Sequence, residues 1–377
     1  MLSLLRLSAL RPRENASVNV RMTPQFSLYL DIIRFLAAMC VLLSHGNARE
    51  IIHADLYHVS LGHNAVIVFF MLSGYVIAYV ADARENNVRS FWISRIARIY
   101  SVALPAILLT PLLDIAGEAM NPSFYLPRTT HDYWWVRIAA SMVFTNELWL
   151  VSIMPFSNSP YWSLCYEVCY YLLFSVYCFE TGLRRKILLT ILSLIIGPKI
   201  LLLFPIWVLG VVIYRYQPWK EISENRGWLL VILSLLAIAA HRYFGVYDYL
   251  SNLLENMIGS YLYKELHFSK HFLSDYVLMI FIAMNFIGVR AIAHRIIPVS
   301  SHIKSLFKHL SAYTFALYLF HLPLLFFFFA LIHGDPMGSS YYILLISLTL
   351  ITCLLLGALT EVFKHQLRNL LLRLWKA

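Results

Sequence analysis

Charged side chains are scarce in this sequence: they make up 13% of its 377 residues, whereas hydrophobic residues make up 60%. Soluble domains carry about a quarter charged residues, so this composition excludes a water-soluble globular protein. Apolar runs recur from Leu30 to Thr360, which is far more than a single anchor needs. The composition therefore predicts one integral-membrane domain.

Acidic residues and cysteines are also few. The chain has 20 Asp and Glu residues against 30 Lys and Arg residues. In a membrane protein such an excess of base reports loop orientation and contact with anionic lipid headgroups rather than with nucleic acid. The five cysteines lie in apolar runs without the CxxC or Cys/His spacing of a metal site. We expect membrane lipids as partners, no nucleic acid, no metal and no bound cofactor.

Ten apolar segments predict an all-α, polytopic bundle of about ten transmembrane helices. Their approximate ranges are 30–46, 63–81, 99–117, 161–180, 187–198, 200–214, 227–241, 272–289, 309–332 and 341–360. The segment at 187–198 is the shortest, because Gly197 and Pro198 interrupt it. The remaining stretch at 241–271 is predicted to be a solvated outer loop.

The run from Trp134 to Met154 is apolar but contains Arg137, Asn146 and Glu147, and its placement decides the orientation of every later loop. If it does not span, cytoplasmic segments hold 22 Lys and Arg residues and outer segments hold 7; if it spans, the counts are 12 and 16. The positive-inside rule favours the first arrangement. This run is then a re-entrant or interfacial outer segment. Residues 1–28 and 362–377 become cytoplasmic tails around a membrane domain at 29–361.

The first span, LDIIRFLAAMCVLLSH, carries Arg34 and His45. Eleven residues on an α-helix come within about 20° of three full turns, so both share one face, roughly 16 Å apart. Asp31 lies on the same face and could neutralise the guanidinium. The alternatives are an Arg34 that snorkels to the surface and an interfacial His45. Since the topology places His45 near the outer surface, its imidazole suits removal of a proton from a hydroxyl there.

An RxxR motif, Arg95 and Arg98, lies in the predicted cytoplasmic loop ADARENNVRSFWISRIARIY. Residues three apart can aim together if the stretch is helical. Guanidinium groups bind phosphate in a bidentate manner, so the motif favours an anionic, phosphate-bearing cytoplasmic ligand. Ordinary topogenic charge is the alternative.

Two further ionisable residues, Glu167 and His321, lie inside predicted spans. Glu167 is about two turns, roughly 10 Å, below the outer surface, where a carboxylate must be protonated, paired with a cation or facing a wet cavity. His321 lies near Pro323, which frees a carbonyl one turn earlier. The histidine either lines a cavity or bonds to that freed carbonyl. In FFMLSGYVIAY, Ser73 and Gly74 permit close helix approach.

Five motifs, in this order, resemble the acyltransferase-3 family of bacterial membrane O-acyltransferases, which modify surface and secreted glycans. The motifs are LDIIRFLAAMCVLLSH, FFMLSGYVI, FWISRIARIY, YWSLCYE and YLFHLP. The resemblance covers Leu30 to about Thr360. It implies acyl transfer in the bacterial inner membrane, usually of acetyl from cytoplasmic acetyl-CoA as co-substrate, to a hydroxyl of a carbohydrate or lipid-linked glycan.

The resemblance also implies roles for individual residues. His45 matches the catalytic histidine, Arg34 is its partner, and Glu167 is assigned with them. Arg95 and Arg98 match the donor-binding arginines. Positions of less specific role lie on the donor side (Ser73, Gly74, Tyr75) and in the acceptor or structural motifs (Trp162, Ser163, Tyr318, His321). One departure is Cys165 and Tyr166, where relatives more often have Ser and Val.

Other functions fit the same residues. Intramembrane Arg, His and Glu also suit a proton-coupled transporter or flippase of a glycan or small molecule. A third interpretation is a non-catalytic membrane scaffold. Within the acyltransferase interpretation, His45 acts either as general base or as the group that accepts the acyl chain.

Overall fold

Fourteen α-helices form the part of the chain that the computed structural model describes, which is residues 22–46, 51, 61–85, 87–130, 132–296, 299–335 and 338–375. The helices are α1 (Pro24–Gly46), α2 (Gly62–Arg84), α3 (Val88–Met120), α4 (Pro122–Tyr125), α5 (Trp134–Met142), α6 (Trp162–Phe179), α7 (Gly182–Ile196), α8 (Pro198–Tyr216), α9 (Glu224–Tyr243), α10 (Val246–Ile258), α11 (Ser260–Glu265), α12 (Phe272–Ile292), α13 (Ser301–Leu331) and α14 (Ser339–Leu374). These residues contain no strand, which confirms the all-α class. Of the predicted N-terminal tail, residues 1–21 lie outside the described residues, and 24–28 already belong to α1.

Nine helices in the described ranges are long and apolar enough to cross a membrane. They are α1, α2, α3, α6 with its preceding turn, α8, α9, α12, α13 and α14. The remaining predicted span, 187–198, corresponds to α7. The 15 residues of this helix extend about 22 Å and fall short of a hydrocarbon core of about 30 Å. The chain is therefore a polytopic helical bundle, with nine full-length helices and one short one.

Helix α7 ends where the sequence predicted, at Gly197 and Pro198. Gly197 adopts φ +85°, and a Cβ there would lie 2.6 Å from the Cα of Trp149. The backbone N–H of Trp149 donates to the carbonyl of Ile196 at 3.0 Å. Glycine is therefore required both for the turn and for the close approach of the 134–154 segment.

The apolar run at 134–154 does not span, as predicted. Helix α5 occupies only nine of its residues, and Phe144 and Trp149 have positive φ angles of 55° and 53° that break any further helix. Arg137 pairs with Asp132 and donates to the carbonyl of Met154 at 3.0 Å. These bonds fold the segment back on itself.

A fully buried ion pair, Glu147 with Lys199, joins this segment to α8. The ammonium also donates to the carbonyl of Val151, and Ser152 donates to the carboxylate at 2.7 Å. Burial raises the pKa of Glu147, and the nearby Lys199 opposes that shift. The pair fixes a non-spanning segment against the bundle.

Replacing Lys199 with methionine should lower the thermal unfolding temperature, because it leaves a buried carboxylate without its cation. Breaking a buried pair costs about 3–5 kcal/mol. The double variant Glu147→Leu/Lys199→Met should regain most of that loss. Lys220→Met, at an exposed position, is the control. An unfolding temperature in Lys199→Met equal to that of the wild type would contradict the structural role.

Two regions predicted as loops are helical. Helix α3 begins at Val88, capped by Asn87, whose side chain accepts from the Ser90 N–H at 2.8 Å, so the RxxR motif lies on a helix. The stretch 241–271 is helical rather than a loop, since it contains α10 and α11, although most of its residues are exposed. Both regions contain enough polar residues to resemble loops in the sequence. Single apolar side chains such as Phe91 of α3 and Leu254 of α10 are nevertheless buried in the bundle.

Close packing of α2 against α8 depends on two glycines. A Cβ on Gly74 would lie 1.9 Å from the carbonyl oxygen of Trp207, and one on Gly210 would lie 2.0 Å from that of Met71. This confirms that Gly74 permits close helix approach. Helix α1 packs on α2 and α13, and α13 packs on α3 and α14. The site lies where α1, α2, α6 and α13 meet.

Candidate active site

Two neighbouring cavities lie along α1 and α2, and residues of both helices line each of them. The first, here called the Arg34 cavity, encloses about 70 Å³, and its polar lining is Arg34, Ser73, Arg98, Ser163, Glu167, Tyr171, Thr314 and Tyr318. The second, the His45 cavity, encloses about 270 Å³ and is lined by Val41, Ser44, His45, Gly62, His63, Val66, Ser159, Pro160, Trp162, Phe268 and Tyr318. Val66 and Tyr318 line both cavities. One layer of side chains therefore separates an arginine-lined space from a histidine-lined one.

The Arg34 cavity combines two guanidinium groups with one carboxylate. Arg34 donates to the hydroxyl of Ser311 at 3.1 Å. Glu167 accepts from the hydroxyl of Ser73 at 2.6 Å and from that of Tyr171. The carboxylate is thus held by hydroxyl donors, which keep it in place without closing the cavity.

Arg98 and Arg95 lie in different surroundings, although they are one turn apart on α3. Arg98 is exposed and lines the Arg34 cavity. Arg95 is only 4% exposed, pairs with Glu85 at 2.7 Å and lies over the ring of Phe91 at 4.4 Å. Only Arg98 of the two presents its charge to the cavity.

The His45 ring meets a second imidazole. The ring centroids of His45 and His321 are 5.2 Å apart, and His321 is fully buried. Its Nδ1 lies 2.8 Å from the carbonyl oxygen of Tyr318 and 3.1 Å from that of Leu317, so Nδ1 carries the proton. Its Nε2 has no hydrogen-bond partner among the described residues.

Pro323 frees the carbonyl of Leu319, but neither alternative for His321 is observed, because its ring bonds to other carbonyls and does not line either cavity. The carboxamide of Asn158 donates to the Leu319 carbonyl at 2.8 Å. His321 instead bonds to the carbonyls of Tyr318 and Leu317, which lie three and four residues earlier on α13. A side chain can reach carbonyls at this spacing within its own helix. The proline site therefore anchors the 155–161 connection to α13.

The family comparison decides the class of protein. The Acyltransferase domain model of the acyltransferase-3 family matches residues 27–358. This chain belongs to the acyltransferase-3 family. It is a multi-pass membrane protein of this family of acyltransferases, and the resemblance carried by its motifs is confirmed.

One curated relative is the acyltransferase MdmB of Streptomyces mycarofaciens. It is 32% identical over 154 residues, which cover 38% of this acyltransferase-3 chain and 37% of the relative. The match thus spans little more than a third of that protein's length. No solved structure matches this chain at a significant level.

The remaining motif residues of this acyltransferase-3 protein fall into three places. Ser73 lines the Arg34 cavity, whereas Gly74 serves helix packing. Tyr75 is buried away from both cavities, with its ring 5.6 Å from those of Phe26 and Tyr214. Of the residues predicted on the donor side, Ser73 and Arg98 therefore line the cavity.

The wall between the two cavities is built from the YWSLCYE and YLFHLP motifs. Ser163 and Tyr318 share a hydrogen bond of 2.8 Å. Trp162, on the His45 side, lies parallel to Phe268 with centroids 4.5 Å apart. Ser163 and Tyr318, which had no specific predicted role, thus form the partition of the acyltransferase-3 site. Trp162 forms part of its face on the His45 side.

Glu167 and His45 lie on opposite sides of this partition. Glu167 lines the Arg34 cavity with Arg34, and His45 lines the other. No hydrogen bond joins the two among the described residues. The three residues assigned together to catalysis are therefore divided into a charged group and a separate imidazole.

Two residues at the His45 cavity were not predicted: His63, which lines it, and Asp275, which holds His63 in place. His63 lines the cavity, and its Nε2 lies 2.9 Å and 3.0 Å from the two carboxylate oxygens of Asp275. They are 212 residues apart in the chain, so no local motif reports the pair. The one available signal was a histidine at the first turn of a spanning helix, GHNAVIV.

Proposed function

We propose that this chain transfers an acetyl group from acetyl-CoA to a hydroxyl of a cell-surface or exported carbohydrate. The observation that supports the proposal is the shared wall between the Arg34 cavity and the His45 cavity. Guanidinium groups suit phosphate recognition, and hydroxyl activation needs a base. The two neighbouring cavities supply one each.

The donor enters on the Arg34 side. Arg98, exposed at that cavity, binds the phosphates of CoA, and Arg34 adds a second positive charge deeper in the bundle. The pantetheine arm then follows α1 and α2 towards Val66 and Tyr318. This brings the thioester to the partition, within reach of the second cavity.

The acceptor hydroxyl is activated on the His45 side. The His45 imidazole takes the hydroxyl proton while the oxygen attacks the thioester carbonyl; the new C–O bond forms, the C–S bond breaks, and the CoA thiolate takes up the proton. Tyr318 lines both cavities, and its hydroxyl, which accepts a hydrogen bond from Ser163, is our assigned donor to the oxyanion. Arg34 and Glu167 contribute from the donor side of the partition.

The orientation follows from the distribution of basic residues. With both termini cytoplasmic in a bacterial inner membrane, the Arg34 cavity faces the compartment that holds acetyl-CoA. The His45 cavity then faces exported glycan. Each substrate reaches its own cavity from its own side.

Acetyl transfer can be measured with the purified protein in liposomes. Radiolabelled acetyl-CoA and the oligosaccharide fraction of the source bacterium's cell envelope are supplied together. We expect labelled oligosaccharide and free CoA in equal amounts. Movement of oligosaccharide across the liposome membrane without acetylation would overturn the proposal in favour of transport.

A further inference from the structure

A histidine–carboxylate pair forms part of the His45 cavity and is separate from the His45 and His321 rings. We propose that His63, held by Asp275, is the acceptor-binding residue, and that its Nδ1 forms a hydrogen bond with a hydroxyl of the acceptor carbohydrate. This inference rests on the proposed function and names the residue that recognises its acceptor. It assigns His63 to binding and leaves proton removal to His45.

The pairing fixes which nitrogen of His63 is available. Asp275 is 1% exposed, and a buried carboxylate is costly unless it is paired. Both of its oxygens lie within 3.0 Å of His63 Nε2, so Nε2 carries a proton and donates it to the carboxylate. Among the described residues no group bonds to Nδ1. The second nitrogen is left for a ligand in the cavity, as in other carboxylate-oriented histidines.

Flat ring faces beside His63 suit a sugar ring. The rings of His63 and Trp162 are 12° from parallel at 6.5 Å, and Trp162 and Phe268 are 1° from parallel at 4.5 Å. All three residues line the cavity. A carbohydrate presents an apolar C–H face and a rim of hydroxyls, and such a ligand needs aromatic surface with a few placed polar atoms. The cavity offers both.

The segment between α9 and α12 holds this pair in place. Tyr247 of α10 stacks on His271 at 4.4 Å, and His271 meets the edge of His63 at 5.6 Å. Burial, with the positive charges of His63 and Lys270, lowers the pKa of His271 to about 3, so this imidazole remains neutral. A neutral His271 supports His63 sterically and does not compete for Asp275.

The test separates the acceptor from the donor. In the liposome assay with the envelope oligosaccharide fraction, His63→Ala should raise the apparent acceptor KM about tenfold or more, the loss expected for a strong hydrogen bond. The KM for acetyl-CoA should stay unchanged. Asp275→Asn should raise the acceptor KM severalfold, because the neutral amide no longer fixes the proton on Nε2. His241→Gln is the matched control, since His241 bonds Ser274 beside Asp275 at 3.0 Å but does not line the cavity.

Each outcome bears on a different claim. An acceptor KM within twofold of the wild type in His63→Ala, with the wild type active, would overturn the inference and leave the proposed function intact. No acetyl transfer by the wild type would overturn both. If His63→Ala does not elute as a folded protein in gel filtration, His63→Gln replaces it. A glutamine that keeps a low acceptor KM while Asp275→Asn also leaves that KM unchanged would equally count against the assignment.

Discussion

Replacing His45 with alanine should reduce acetyl transfer at least a hundredfold while leaving membrane insertion and the unfolding temperature unchanged. A general base contributes about 10²–10⁴ in rate, and no hydrogen bond from His45 to a described residue would be lost. His321, whose ring centroid lies 5.2 Å from that of His45, is fully buried and cannot take its place at the cavity surface. Rates of labelled oligosaccharide formation, at saturating acetyl-CoA, measure the effect.

A histidine elsewhere on the bundle is the control for this variant. His309→Ala changes an exposed position on α13 and should keep full activity. Full activity in His45→Ala would sink the assignment of the base. Incubation of the wild type with labelled acetyl-CoA and no acceptor distinguishes the two chemistries, because only an acyl-histidine mechanism leaves label on the protein.

Replacing Arg98 with alanine should raise the KM for acetyl-CoA about tenfold to a hundredfold with a smaller change in kcat, since a charge-assisted bond to phosphate is lost from the bound donor. Arg98 is the arginine of the RxxR motif that lines the cavity. Initial rates across acetyl-CoA concentrations give the two constants. Arg89→Ala, at an exposed position on the first turn of α3, is the charge-matched control.

The donor itself provides a second control. Acetyl-pantetheine has the same thioester but lacks the nucleotide phosphates, so its KM should be equal in the wild type and in Arg98→Ala. Arg95→Ala should behave differently, lowering the unfolding temperature, because Glu85 loses a buried partner. An unchanged KM for acetyl-CoA in Arg98→Ala would mean that the arginine only sets topology.

Features set by one helix were predictable from the sequence. Arg34 and His45 share a face because the 3.6-residue period fixes their angle once the span is recognised. Gly197 and Pro198 end α7 through local backbone geometry, which does not depend on what packs against the helix. The 134–154 segment was correctly placed outside the spans because charge counts report on the whole chain.

Features that depend on how helices meet were not predictable. His63 with Asp275, and Glu147 with Lys199, join residues far apart in sequence, and only packing brings them together. The RxxR spacing suggested one joint site, but Glu85, at the end of α2, binds Arg95 and leaves Arg98 alone at the cavity. The helices in 241–271 were missed because their apolar faces are short and interrupted.

The partition of Val66, Ser163 and Tyr318 has a consequence for the energised membrane. In the proposed orientation, the two cavities leave a single layer of side chains between the two aqueous compartments, so most of the transmembrane voltage falls across that layer. A thioester reaching through it is uncharged, whereas a proton or an ion pays the full electrical cost. In the proposed reaction, the acetyl group therefore crosses that layer as part of an uncharged thioester.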